Sequence, residues 1–318
     1  MTNKPLLELN DLSVSFRTRR GTLKAVDGVS LTLSKGEILG LVGESGAGKS
    51  MTGAAVMGLI DPPGKISGGE IWYDGQRIDQ RPELIRGRHI SMVFQDPLTS
   101  LNPLKTVGEQ LTETISRHLD VSAHEAQERA KQGLADVGID PLRFSAYPHS
   151  FSGGMRQRVV IALALSTEPK VIIADEPTTA LDVSVQAQIL DLLKSLCAER
   201  GTAVILITHD MGVIAETTDR VAVLYAGRMA EIGDTAEVLK APVHPYTKGL
   251  MASTPTISLD GDQGFLHQIP GAMPKLDAIP PGCAFNPRCE FSMERCRQEV
   301  PSMIGGRAAC WLGQEAGT

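Results

Sequence analysis

What the chain lacks narrows its class first. It has no basic excess: 37 acidic residues outnumber 31 Lys and Arg, for a formal net charge of −6. That balance argues against a nucleic-acid partner, whose backbone calls for a basic patch. No uncharged apolar run approaches the about 18–20 residues needed to cross a bilayer. The opening MTNKPLLELNDL puts acidic residues where a secretory leader needs an apolar core. The expectation is a cytoplasmic chain whose membrane contact is made through other subunits. There is no internal repeat. Tight cysteine pairs are missing too: Cys197 stands alone, and Cys283, Cys289, Cys296 and Cys310 follow C-x5-C-x6-C-x13-C. That spacing is neither the C-x2-4-C of zinc sites nor the ferredoxin run. In a reducing compartment such a cluster suggests metal more than disulfides.

What is present fits an ordinary globular protein, with 42% hydrophobic and 21% charged residues over 318 positions. The length allows one large α/β domain plus an appendage. Alternation of Leu12, Val14 and Phe16 with serines, and an Asp-Gly turn in GGEIWYDGQRI, predict antiparallel β structure near the N-terminus. EILGLV (37–42), VIIA (171–174), AVILI (203–207) and VAVLY (221–225) read as strands of a parallel sheet covered on both faces. Residues 97–158 read as a helical insertion. Val107, Leu111, Ile115 and Leu119 recur every four positions, and Ser122 with Glu125 predicts a capping box. Val185, Ile189, Leu192, Leu193 and Leu196 share one face of a later helix, with Cys197 as a core residue on its flank. From about 233, prolines break the chain into short pieces.

Gly43-Glu44-Ser45-Gly46-Ala47-Gly48-Lys49-Ser50 matches G-x-x-x-x-G-K-[ST] between a strand and a helical run. Glycines let backbone N–H groups turn toward phosphates, and the helix adds its positive end. Lys49 supplies a mobile cation, and the Ser50 hydroxyl is placed for Mg²⁺. VIIADE delivers Asp175 and Glu176 at a strand's C-terminal end, Asp175 for Mg²⁺ and Glu176 to orient and deprotonate water. FSGGMRQRVVIALAL offers a second anion-binding helix start, with Ser152 as N-cap and Gly153 and Gly154 allowing close approach.

On these residues the chain resembles the ABC ATPase superfamily. FSGGM is similar to its signature motif, with Phe151 and Met155 in place of the commoner Leu and Gln. Gln95 in VFQDP matches the Q-loop glutamine, TALD (179–182) the D-loop with Asp182, and His209 in LITHD the switch histidine. All lie in family order across residues 6–232. The resemblance implies a head-to-tail pair in which ATP on one chain's Lys49 loop is covered by the other's Ser152-Gly153-Gly154. It implies catalytic roles for Glu176, His209 and Gln95, with Gln95 also near Mg²⁺. Phe16 is the candidate for stacking on adenine, core packing being the other reading. Met51 stands where many members carry Thr or Ser and withholds a hydroxyl from the α-phosphate.

HPYTKGLMASTP (244–255), GCAFNPRCEFSMERC (282–296) and FQDPLTSLNP (94–103) resemble the ATPases of oligopeptide, dipeptide and nickel importers. The resemblance implies a peripheral subunit on the cytoplasmic face of the inner membrane. It works beside a second, usually different ATPase chain on two membrane permease subunits fed by an extracytoplasmic binding protein. It also implies a [4Fe-4S] cluster on the four C-terminal cysteines; zinc, free thiols and disulfides stay open. The expected layout is an ATPase domain over 1–232, with the helical insertion at 97–158, and an extension over 233–318. Two other readings compete: a soluble ABC ATPase acting on DNA or ribosomes, and an ATPase gated by a redox-sensing cysteine tail. The single signature motif, short insertion and acidic charge disfavour the first.

Overall fold

The near-continuous apolar runs form strands buried along their length. Val171–Asp175 and Ala203–Thr208 are buried at every position, as is Ile38–Val42, the pattern of strands covered on both faces. The computed structural model describes residues 4–19, 21–178, 182–254 and 268–315. The chain divides into two compact units. One comprises Met1–Leu33, Leu39–Asp79 and Thr208–Thr318; the other comprises Ser34–Ile38 and Gln80–Ile207.

In the first unit an antiparallel sheet runs in the order Gly21–Leu33, Leu7–Thr18, Gly64–Tyr73, Gln76–Arg77. Leu7, Leu9, Leu12 and Val14 are all buried, although strict alternation would send one pair outward. A register shift between Leu9 and Leu12, with Asp11 at φ 50°, moves the phase by one residue. The Asp-Gly turn is present: Asp74 and Gly75 both take positive φ, 47° and 74°, and join the last two strands. The same unit pairs residues 39–42 in parallel with Arg220–Tyr225, which pairs antiparallel with Arg228–Asp234.

Its C-terminal region packs aromatic side chains onto that strand pair. Tyr225 meets Tyr246 and Phe285 edge-on, with ring centroids 4.6 and 5.2 Å apart. All three rings join the core that contains Val42, Val221 and Val223. The buried carboxylate of Glu231 accepts the N–H groups of Val243 and His244, each at 2.9 Å, which fixes where the chain turns into the helix Pro245–Ala252.

In the second unit Ile90–Val93, Val171–Asp175 and Ala203–Thr208 pair in parallel. The helical insertion is present as Val107–His118 and Ala123–Asp136, followed by Gly153–Leu165. Val107, Leu111 and Ile115 are buried on one face and Ala126, Ala130 and Leu134 on another. Ser122 accepts the Glu125 N–H at 3.2 Å. The complete reciprocal capping box belongs to Thr106 and Glu109. Among the described residues no helix is long and apolar enough to cross a membrane.

Candidate nucleotide and hydrolysis site

The strand ending at Val42 runs directly into the glycine loop, and the loop runs into the helix Lys49–Val56. Gly48 caps that helix at φ 99° and without any side-chain cap, so the first N–H groups stay available to an anion. A Cβ at Gly48 would stand 2.7 Å from the Ala25 carbonyl oxygen, and one at Gly43 would strike the Leu224 carbonyl; the loop is confined by backbone on two sides. The Gly227 N–H donates to the Ala47 carbonyl at 2.9 Å. Lys49 is buried, its Nζ donating to the carbonyls of Gly43 at 2.7 Å and Glu44 at 3.0 Å. The amine therefore already lies over the cradle. Ser45, Gly46 and Ser50 are exposed, and Met51 is half-buried in the helix. Phe16, half-buried, lies against Gly64 on the adjacent strand.

His209 is also in this unit, exposed one residue past the strand Ala203–Thr208. Its backbone position is set on both sides. The Asp210 N–H donates to Thr208 Oγ1 at 3.1 Å, while the Asp210 carboxylate caps the next helix through Gly212 and Val213.

In the second unit Asp175 is buried at the strand end and Glu176 follows at φ 46°, a left-handed conformation that is costly for a side chain of this size. The Glu176 N–H donates to the Ile207 carbonyl at 2.9 Å, and its Oε2 accepts Gln95 Nε2 at 3.0 Å. The two catalytic candidates of this unit are thus in direct contact, 81 positions apart in sequence.

The signature segment is the N-terminus of Gly153–Leu165, capped by Ser152, whose hydroxyl accepts the Met155 N–H at 3.4 Å. Arg143 stacks 4.3 Å over the Phe151 ring and donates to the Ser150 carbonyl at 2.9 Å, fixing the approach to the cap. Ser152, Gly153, Gly154 and Asp182 line one open concavity. Asp182 caps the helix Val183–Arg200. The Ser184 hydroxyl, and next the Val185 N–H, hold its carboxyl below the usual carboxylate range. The rest of the expected D-loop, Thr179–Leu181, lies outside the described residues.

Cys283, Cys289, Cys296 and Cys310 line one pocket with His244, Phe285 and Trp311. None forms a disulfide. Burial pushes the Cys283 thiol up to about 11, the Phe285 N–H opposing it. Burial likewise raises Cys289 and Cys310, opposed by the N–H groups of Phe291 and Leu312. Among the described residues no group of three or more His, Cys, Asp or Glu side chains is arranged to hold a metal ion. The expected iron–sulfur or zinc site thus has a shared pocket and no ready-made ligand set. Cys197 is a buried core residue, as expected.

The sequence reading did not single out Arg288, Tyr246 or Met273. Arg288 forms a two-pronged ion pair with Glu44, at 2.8 and 3.0 Å. Burial works against its charge, but the hydrogen bonds to Glu44 and Tyr225 outweigh that and hold it above the usual arginine range. Both residues lay inside quoted motifs; their partner is over 200 positions away and carries no pattern of its own.

Known proteins agree with this arrangement. The family model for ABC transporters matches residues 26–179, and that for the oligopeptide/dipeptide transporter C-terminal region matches 230–296. The oligopeptide transport ATP-binding protein AppD of Bacillus subtilis is 46% identical, over 98% of each chain. The dipeptide transport ATP-binding protein DppD of the same organism is 48% identical, over 96% of this chain and 94% of that one. Among solved structures, a dimeric post-hydrolysis state of the ATP-binding cassette MJ0796 bound to ADP and Pi matches with a TM-score of 0.66. Identity there is 29%, over 72% of this chain and 98% of that chain. The glycine loop, the Gln95–Glu176 contact and the capped signature helix are therefore parts of an ABC ATPase, and the chain belongs to the ATP-hydrolysing subunits of ABC transporters that carry the oligopeptide/dipeptide C-terminal region.

Proposed function

We propose that this chain hydrolyses ATP to power import of peptides or a related small solute, as one half of an ATPase pair on two membrane permease subunits. The observation that carries the reading is a second, empty-faced helix start in one chain. Gly153 has no atom within 4 Å of where a Cβ would stand, and the Ser152 cap opens outward. One chain has no use for two anion cradles; a pair of chains does. A second ATPase subunit, different from this one as the importer resemblance implies, then supplies the loop that Ser152, Gly153 and Gly154 cover. Exposed apolar residues of the helical insertion and its approach, Phe94, Leu98, Leu104 and Leu142, suit contact with a membrane subunit. On this reading the protein sits peripherally on the cytoplasmic face of the inner membrane, with an extracytoplasmic binding protein delivering solute.

Each residue has its own task. The remaining N–H groups of the 43–50 loop, those of Glu44 and Ala47 being bonded within the protein, and Lys49 Nζ bind the β- and γ-phosphates, with Phe16 toward the base. Ser50, and separately Asp175 and Gln95, are the Mg²⁺ candidates, and the metal supplies charge neutralisation on the phosphate oxygens when bound. Glu176, held by Gln95, orients and deprotonates the attacking water, and His209 donates to the γ-phosphate. Residues 1–232 make the ATPase domain and 233–318 the extension. Four thiols on one pocket, three of them meeting backbone N–H groups, support a structural [4Fe-4S] cluster. The C-x5-C-x6-C-x13-C spacing departs from the tight C-x2-4-C pairs of zinc sites. Transport assayed in vesicles with the complete subunit set tests the function: ATP-dependent peptide accumulation that stops with Glu176→Gln supports it, and accumulation indifferent to that change refutes it.

A further inference from the structure

The phosphate loop is held from outside by the C-terminal region, and Glu44 is the point of attachment. The Glu44 N–H donates to Tyr246 Oη at 2.8 Å. Its carboxylate accepts Nη1 and Nη2 of Arg288 at 2.8 and 3.0 Å. The Met273 methyl stands 3.2 Å from where a Cβ on Gly46 would be. Three separate pieces of the C-terminal region therefore bear on two loop positions, Glu44 and Gly46.

Arg288 is itself rigidly placed. Its side chain is 7% exposed. Its other contacts go to Tyr225 Oη at 3.3 Å, the Ile269 carbonyl at 3.4 Å and the Pro270 carbonyl at 2.8 Å. It ends the turn Asn286–Arg288 between Cys283 and Cys289, where the Asn286 N–H and Nδ2 both donate to the Cys283 carbonyl, at 3.0 and 2.7 Å.

A carboxylate is an awkward neighbour for a polyphosphate, because like charges in a confined site repel strongly. The Arg288 guanidinium meets the Glu44 carboxylate as a two-pronged ion pair. We propose that Arg288 is a positioning residue for nucleotide binding. It cancels the Glu44 charge and, with Tyr246, holds the phosphate loop in its anion-binding form, so that the C-terminal region sets part of the grip on ATP. The inference rests on the reading of residues 43–50 as the ATP site.

The test is ATP affinity of the purified full-length chain by calorimetry with Mg·ATP, for wild type, Arg288→Ala, Arg288→Lys, Glu44→Ala/Arg288→Ala and Lys49→Ala, with thermal unfolding measured on each. Arg288→Ala is expected to weaken ATP about tenfold, and Arg288→Lys less, because it keeps a cation but loses the fork. Removing the Glu44 carboxylate as well should recover most of the loss, a return that simple loss of folding cannot produce. An unchanged affinity in Arg288→Ala, or a double variant no better than the single one, overturns the proposal. Lys49→Ala separates the two failures: if it too binds ATP normally, the site assignment itself has failed.

Discussion

Gln95 Nε2 donates to Glu176 Oε2 at 3.0 Å, while Glu176 is held at φ 46° with its N–H on the Ile207 carbonyl. Strain at one residue and a neutral donor on its carboxylate together fix the proposed base in place. Glu176→Gln keeps the shape and removes the carboxylate proposed as the base. It is expected to bind ATP normally and to release phosphate at least a hundredfold more slowly in the assembled complex. Gln95→Ala frees the carboxylate without removing it and should cost about tenfold. Wild-type phosphate release by Glu176→Gln would exclude the assigned role.

Lys49 is expected to matter for binding before chemistry. Its amine already lies on the Gly43 and Glu44 carbonyls, so phosphate oxygens can take it over with little rearrangement. Lys49→Ala should weaken Mg·ATP binding tenfold or more by calorimetry.

Gly48 and Gly153 should respond oppositely to the same substitution. Gly48→Ala puts a methyl group 2.7 Å from the Ala25 carbonyl at φ 99°, and should lower stability by about 1–3 kcal/mol. Gly153→Ala meets nothing within 4 Å at the start of a helix and should leave thermal unfolding unchanged or slightly raised. Differential scanning fluorimetry of the pair checks the contrast.

Asp27 gives the account a pH dependence. Burial pushes its carboxyl up, but hydrogen bonds and charge from Lys24 and Arg228 outweigh that and hold it below the ordinary 3.8. A lowered folded-state value contributes stability that is present above 3.8 and lost as pH falls through the lower folded value. Asp27→Asn should flatten the acid limb of the stability curve below about pH 4, measured by urea unfolding. An acid limb unchanged by Asp27→Asn would contradict it.

The four-cysteine pocket is tested by purification without oxygen. Brown protein with matching iron and sulfide, and a lowered unfolding temperature on removing them, is the expected result. Colourless, metal-free protein with four titratable thiols in that pocket would contradict it.

Legibility in the sequence followed contiguity. The loop at 43–50, the strand leading to Asp175 and the signature helix are continuous stretches, legible from spacing, an apolar run and family resemblance respectively. The buried Leu7 and Leu9 were harder, because the irregularity at Asp11 breaks the alternation that marks a strand face. Ser122–Glu125 looked like the capping box, yet Thr106–Glu109 is the reciprocal one; both fit the same pattern, and only geometry separates them. The Glu44–Arg288 pair had no such trace. Charge pairing across the whole length of a chain depends on where the fold brings two side chains, and no local pattern encodes it.

The central claim is that Ser152, Gly153 and Gly154 complete a nucleotide site on another chain. The direct measurement is ATP turnover of the reconstituted transporter carrying Gly153→Asp in this subunit alone, alongside calorimetry of the isolated variant. The account predicts that turnover falls at least tenfold, through charge repulsion and crowding at the partner's phosphates, while the variant's own loop still binds Mg·ATP. Unchanged turnover in that complex would contradict it.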